Sequence, residues 1–251
     1  SFAPAMTIPE GTDQTVDNKT MVVDTFATVQ IPWTGEDMKH VNNGSGFETI
    51  YGDQIRQAMR AICNTIELSL FTTAYQGASR ATGTAGTTPF ASTIDVVANV
   101  RKILVDNGCP MDGNVSLVMN TAAGAAMRKL TNLYKVNEAG GSDMLRQGVL
   151  LDLQGLMLRE SAQISQVTKG TGASYLLNGA LAVGATTITV DTGTGTILAG
   201  DIVTFAGTTD KYVVNSTLAS TTFTIGAPGS LAIEADNDAV TVGNNYTPNM
   251  A

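Results

Sequence analysis

Three short stretches in the last third of the chain share one pattern, in which apolar side chains alternate with threonine. They are Ala185-Thr186-Thr187-Ile188-Thr189-Val190, Ser220-Thr221-Thr222-Phe223-Thr224-Ile225 and Asn237-Asp238-Ala239-Val240-Thr241-Val242. A period of two is typical of β-strands, because successive side chains point to opposite faces. Residues 199–207 and 211–214 add two more strands. Short strands separated by turns predict a small β-barrel or β-sandwich over residues 170–243, and the pattern leaves these two open.

Upstream, residues 35–169 are predicted to be mainly helical with a few strands. The longest helix is predicted over residues 47–75, because apolar residues recur there at three- and four-residue steps. The stripe they form consists of Ile55, Met59, Ile62, Ile66 and Leu70. Such a stripe indicates a helix that buries one face.

Shorter elements follow the long helix. A second helix is predicted to start at Ser92, with Asp95 completing a capping box, and to stop at Asn107. After it, the sequence predicts a strand over residues 115–119, a short helix capped by Thr121 and a strand over residues 156–160. Helices and strands therefore alternate before the β-rich region begins.

The first 34 residues are predicted to form a projecting β-hairpin, with arms at residues 6–8 and 21–31. The polar segment between the arms is too long for a tight turn. Because a projecting hairpin buries little within its own chain, we expect it to be ordered by a partner. The predicted assembly contacts are Asp13, Asp17 and Lys19 near the tip and Trp33 at the base.

Composition narrows the classes of protein. Hydrophobic residues make up 43% and charged residues 14% of the chain, which indicates a folded core. The formal net charge of -8 disfavours tight binding of nucleic acid by the whole surface. No apolar run approaches the roughly 20 residues that span a bilayer, so no membrane partner is expected. Cys63 and Cys109 are interpreted as free thiols.

No catalytic constellation is found in the sequence. The single histidine, His40, follows Glu36 and Asp37, so a carboxylate–histidine pair is conceivable, but a solvated loop histidine is favoured. The motifs of nucleotide-binding loops and of serine-hydrolase elbows are absent. We therefore predict no catalytic and no cofactor-binding residue, no cofactor, and a protein that is not an enzyme.

A run of acidic residues near the end of the β-rich region raises the question of a Ca²⁺ site, because hard cations prefer oxygen ligands. The run lacks the glycine and the terminal glutamate of an EF-hand loop, so a solvated turn is favoured and no metal ligand is predicted. The acids concerned are Asp201, Asp210, Glu234, Asp236 and Asp238.

The order of these elements resembles the major capsid (coat) protein of tailed, double-stranded-DNA bacteriophages, which has the Hong Kong 97-type fold. It is most similar to coat proteins of short-tailed phages that carry an inserted β-domain. Residues 6–31 match the family's extended loop, residues 47–75 its spine helix and residues 92–127 its peripheral domain. Residues 143–161 resemble the passage into the axial domain, and residues 170–243 resemble the inserted domain.

The resemblance implies an α+β fold, namely the phage major-capsid fold with an inserted small all-β barrel or sandwich. The implied domains are an extended loop (1–34), a spine helix with the peripheral domain and the start of the axial domain (35–169), an inserted β-domain (170–243) and a return into the axial domain (244–251). Family members extend beyond both ends of this sequence. The chain is therefore expected to be truncated and to form monomers or small oligomers rather than closed shells.

The implied function is that of a structural virion protein, which self-assembles into the icosahedral capsid shell around packaged double-stranded DNA. Copies of the same chain would be its main partners, joined by scaffolding and portal proteins, without sequence-specific DNA binding. Assembly would take place in the bacterial host cytoplasm. The alternatives are an encapsulin-type compartment shell, a surface or adhesin-type β-domain protein, and an unrecognised enzyme.

Overall fold

The structure is a computed structural model. It describes residues 18, 20–23, 25–32, 34–42, 47–135, 146–148, 150 and 152–251. These residues fall into two compact units, Ser1–Ile62 and Cys63–Ala251. The boundary between them lies within a long helix.

In the first unit, helix α1 spans Gly35–Asn42 and helix α2 begins at Phe47. Thr34 caps α1, because its hydroxyl oxygen accepts the N–H of Asp37 at 3.2 Å while the Asp37 carboxylate accepts the N–H of Thr34 at 3.2 Å. The described part of residues 20–32 forms neither helix nor strand, so the predicted return strand is wrong there. The other arm and most of the tip lie outside the described residues.

Helix α2 spans Phe47–Gln76, which confirms the long helix predicted from the apolar period. It is 30 residues long and continues into the second unit. Near its end the rings of Phe71 and Tyr75 lie 5.2 Å apart, and Phe71 is buried. Among the α2 side chains that the structure describes, Phe71 is the large apolar one that is buried.

The second unit contains a small parallel sheet covered by helices. Strand β2 (Ser116–Asn120) pairs with strand β3 (Met157–Ser161) in parallel, with Ser116 opposite Met157. Helices α3 (Asp95–Asp106), α4 (Thr121–Arg128) and α5 (Thr131–Tyr134) accompany this sheet. Parallel strands need a long crossover, and α4 and α5 lie within the chain between β2 and β3. The core of this part includes Val97, Leu117, Met119, Met127 and Leu156.

Two helix caps differ from the sequence prediction. Helix α3 begins at Asp95 after Ile94, which makes no side-chain cap hydrogen bond, so the capping box from Ser92 is wrong. Helix α4 is capped by Asn120 rather than by Thr121. The Asn120 side-chain oxygen accepts the N–H of Ala123 at 3.0 Å, and Asn120 is also the last residue of β2.

The rest of the second unit is a closed antiparallel barrel. Its strands are β4 (Tyr175–Leu177), β5 (Thr187–Asp191), β6 (Ile202–Phe205), β7 (Lys211–Ala219), β8 (Thr222–Ile225) and β9 (Ala239–Val242). Their order is β7-β6-β9-β4-β5-β8, and an additional pairing of β7 with β8 closes the ring. Closure leaves no free edge among these six strands, which decides between the barrel and the sandwich.

Alternating side chains of five strands fill the barrel interior, whereas β7 buries three consecutive residues. In β5, Ile188 and Val190 are fully buried, whereas the threonines between and beside them are not. Phe205 and Tyr212 meet inside with ring centroids 5.4 Å apart. Burying one such side chain contributes about 1.5–3 kcal/mol, so the period of two in the sequence is the main source of barrel stability.

Strand β1 (Arg80–Ala81) ties the barrel to the segment that follows α2. It pairs antiparallel with β7, with Arg80 opposite Tyr212. The guanidinium of Arg80, whose side chain is 8% exposed, reaches the Asp210 carboxylate at 2.9 Å. After the last barrel strand, the Tyr246 hydroxyl donates to the carbonyl oxygen of Gly200, just before β6. Burial raises the pKa of Tyr246. Contacts therefore cross the predicted borders of residues 170–243.

The predicted α+β fold class, a phage major-capsid fold, is wrong. Among the described residues there are nine strands and five helices, and the largest sheet is the closed barrel rather than part of a helix-rich capsid fold. The physical reason is that the strands formed by the threonine–apolar stretches pair into a closed barrel. This barrel is the main architecture and not a small inserted domain. The resemblance rested on the order of elements, which does not fix how strands pair.

Candidate functional site

The single histidine does not form a catalytic pair within the described residues. His40 is exposed in the last turn of α1. The side-chain hydrogen bond from Thr34 lowers the pKa of Asp37, and the donated backbone N–H of Thr34 and the charge of His40 lower it further. The hydrogen bonds that hold the Asp37 carboxylate therefore come from its own helix cap. This arrangement stabilises α1 and offers no oriented base.

Several carboxylates of the barrel accept backbone N–H groups. Asp201 is buried and accepts the N–H groups of Gly170 at 3.0 Å and Leu198 at 2.7 Å. Asp238 accepts the N–H of Ala235 at 2.7 Å, and Asp236 accepts that of Gly179 at 2.7 Å. Within the described ranges, no group of three or more His, Cys, Asp or Glu side chains is placed to hold a metal ion.

Glu234 departs from the expected solvated turn. Its residue is 2% exposed, and burial raises the pKa of its carboxyl, against a smaller opposing effect of the Thr208 hydroxyl. The Oε1 atom has no hydrogen-bond partner in the described structure. Glu234 pairs through its backbone with Leu181, so it belongs to the barrel wall.

The four predicted assembly contacts, Asp13, Asp17, Lys19 and Trp33, all lie outside the described residues. In the neighbouring segment, several large apolar side chains are exposed. We call this segment the apolar arm. It consists of Met21 (90% exposed), Val22 (73%), Val23 (74%), Phe26 (83%) and Val29 (43%).

The apolar arm is unusual because so many large side chains in one short segment remain in water. Single exposed apolar residues are ordinary on protein surfaces, but a contiguous group marks an interaction site. The described residues of the segment adopt no helix or strand. The alternating pattern of the sequence predicted this segment as a strand, and the assembly contacts were assigned to Asp13, Asp17, Lys19 and Trp33. The run Met21-Val22-Val23 was the signal for the arm itself.

Helix α2 also exposes the stripe that its period predicts. In the first unit, Ile55 is 41% and Met59 is 56% exposed. In the second unit, Ile66 is 50% and Leu70 is 66% exposed. The helix carries the predicted apolar stripe. The prediction that the stripe is buried is wrong for these four residues. An apolar period shows that a face is suited to burial, and it does not show whether the same chain covers that face.

A search of family models and a search of curated proteins each found no match. Among solved structures, the chain is similar to one from Mycobacterium phage Che8, with a TM-score of 0.39 and 14% sequence identity. The similarity covers 77% of this chain and 58% of that chain. No helix in the described part of the protein is both long and apolar enough to cross a membrane.

Proposed function

We propose that this protein is a structural subunit that assembles with copies of itself, and that the assembly is the capsid shell of a phage virion. It performs no catalysis in this proposal. The single observation that carries the self-assembly is the apolar arm, with Phe26 83% and Met21 90% exposed. The assignment to a virion is supported by the order of elements in the sequence.

The energetics favour a partner for the arm. Moving one large apolar side chain from water into a contact contributes about 1.5–3 kcal/mol, so a few side chains of the arm outweigh the ordering of a short segment. Within the described residues of the chain, these side chains are not buried. A partner surface therefore supplies the contact.

A second copy is the partner that the composition supports. Each copy carries a formal net charge of -8, so copies repel at long range and must attract through local apolar contacts. Helix α2 offers such contacts on both sides of the unit boundary, for example at Met59 and at Leu70. The same charge is consistent with a shell that encloses DNA without binding its sequence. Scaffolding and portal proteins would be further partners of such a shell.

The test compares two aspartate substitutions in the arm. Phe26→Asp places a charge where the proposal requires an apolar contact, and Thr28→Asp adds the same charge at a neighbouring exposed residue. Light scattering coupled to size-exclusion chromatography should show concentration-dependent oligomers for the wild type and for Thr28→Asp. Phe26→Asp should raise the concentration needed for association at least about tenfold, as expected for about 1.4 kcal/mol of lost contact energy.

Two results would contradict the proposal. One is a wild-type chain that stays monomeric at all concentrations, and the other is equal association of both variants. Electron microscopy of the associated material tests the arrangement of the subunits. Regular small oligomers or curved sheets support a shell subunit, and irregular aggregates oppose it. In any closed particles, nuclease-protected DNA would favour a virion over a protein-filled compartment.

A further inference from the structure

The second unit contains a large cavity between helix α3 and the outside of the barrel. Its volume is about 800 Å³, which lies within the range of roughly 300–1,000 Å³ that is usual for small-molecule sites. One wall is the apolar face of α3, and the opposite wall is formed by outward-facing residues of β6 and β7. The segment around Phe90 and the last residues of the chain, including Met250, complete the lining.

The wall formed by α3 is apolar but only partly covered. Val97 points into the core and is fully buried, whereas Val96, Val100 and Ile103 line the cavity and are half-buried. On the barrel side, Ile202 occupies an outward position of β6, next to the buried Val203. Two apolar surfaces therefore face one another across the cavity without closing it.

Two cationic side chains line the cavity. They are those of Arg80 and Lys211, and no acidic side chain is among the described lining residues. Arg80 is engaged by two carboxylates, because its guanidinium lies 2.9 Å from Asp210 and 4.0 Å from Asp106. Lys211 donates to the carbonyl oxygen of Gly83, and within the described structure no carboxylate pairs with it. Lys211 is therefore the lining cation that can meet an anionic group.

One residue that lines the cavity has a strained backbone conformation. Phe90 is 2% exposed and has a φ of 63°, in the left-handed region that a bulky side chain rarely adopts. Such conformations cost about 1–3 kcal/mol and persist where the surroundings over-determine them, often at ligand clamps. Phe90 packs with the core that contains Leu117, so its ring is held in place over the cavity.

We propose that this cavity binds a small amphiphile with an extended apolar body and one anionic group, of the chemical class of a long-chain carboxylate. The apolar body lies between Val100 of α3 and Ile202 of β6, and the anionic group lies beside Lys211. This binding activity is separate from self-assembly, because none of its residues belongs to the apolar arm.

The experiment uses the full 251-residue chain and dodecanoate as the probe, below its micelle concentration. Isothermal titration calorimetry should show one saturable site. Dodecanol and dodecyltrimethylammonium carry the same tail, and both should bind at least about tenfold more weakly if the cationic lining selects the head group. No saturable binding of dodecanoate would overturn the proposal, and so would equal binding of all three probes.

Matched variants locate the site. Val100→Phe fills the cavity, whereas Val105→Phe adds the same ring on the 51% exposed side of the same helix, outside the lining. Lys211→Gln removes a lining charge, and Lys129→Gln removes an exposed charge elsewhere. Affinity for dodecanoate should fall at least about tenfold in the first member of each pair and stay unchanged in the second.

Thermal melts of the free variants show whether each one folds. If Val100→Phe does not fold, Ile103→Phe takes its place, since Ile103 lines the same wall. Binding that is unaffected by every folded lining variant would place the probe elsewhere and overturn the assignment.

Discussion

The barrel and the apolar arm use the same kinds of residue with opposite results. In the barrel, Phe205 is 2% and Val203 is 0% exposed, whereas in the arm Phe26 is 83% and Val22 is 73% exposed. Both segments mix valine, phenylalanine and threonine. The difference lies in the partners, because each barrel strand has a neighbour on both sides. Hydrophobicity alone therefore does not decide burial, and the arm resembles half of a contact whose other half is not in the described chain.

The largest expected effect on stability comes from comparing one phenylalanine substitution in each region. Phe205→Ala should lower the free energy of unfolding by about 3–5 kcal/mol, because it leaves a cavity in the closed barrel. Phe26→Ala should change it by no more than about 0.5 kcal/mol, as expected for an exposed side chain. Urea denaturation followed by circular dichroism measures both under conditions where the chain is monomeric. Similar losses for the two variants would mean that the arm is packed within its own chain.

A smaller effect is expected when the barrel is separated from β1. We predict that a fragment of residues 171–244 unfolds cooperatively, since its six strands close on themselves. It lacks Arg80, whose guanidinium lies 2.9 Å from Asp210. Loss of that charged hydrogen bond should make the fragment about 1–3 kcal/mol less stable than the barrel in the full chain.

Denaturant titration of the fragment, compared with hydrogen exchange of barrel amides in the full chain, tests this difference. A collapsed fragment without a cooperative transition would show that the barrel depends on β1 to fold. Equal stability would show that the contacts across its borders contribute little.

The smallest expected effect concerns Glu234, the buried acid in the barrel wall. Burial raises the pKa of its carboxyl above the ordinary value of 4.5. The folded state thus favours the protonated form, and this contribution to stability is full below the unfolded pKa and is lost as pH rises through the folded pKa. Glu234→Gln should therefore be more stable than the wild type at pH 7.

The advantage of Glu234→Gln should shrink as the pH falls toward and below 4.5. Asp152→Asn serves as the control, because Asp152 is exposed. A pH-independent difference between Glu234→Gln and the wild type would contradict the assigned cause.

Local patterns predicted much of the secondary structure. The period of 3.6 placed α2 to within one residue, and the alternation of threonine with Ile188, Phe223 and Val240 placed β5, β8 and β9. Strands β1 and β4 were missed because two and three residues are too few to show a period. Helix α1 was missed because its eight residues were interpreted as a solvated loop.

Long-range pairing is where sequence reasoning failed. The ring closes through β7 and β8, and nothing in either strand alone distinguishes a closed barrel from one sheet of a sandwich. The capsid fold was inferred from the order of elements, and that order does not specify which strands pair. For the candidate site, the sequence predicted a projecting arm but assigned its contacts to Asp13, Asp17, Lys19 and Trp33. The exposure of Met21 and Phe26 could not be predicted locally, because it depends on whether other described residues cover them.

Hydrogen exchange of the arm backbone as a function of chain concentration tests the central claim most directly. The claim is that a second copy covers the apolar arm. Mass spectrometry of peptides from residues 20–32 should show fast exchange in dilute monomer and at least about tenfold slower exchange when the chain associates, whereas Phe26→Asp should exchange fast at both concentrations. Fast exchange of the wild-type arm in fully associated material would contradict the claim, and so would slow exchange in the dilute monomer.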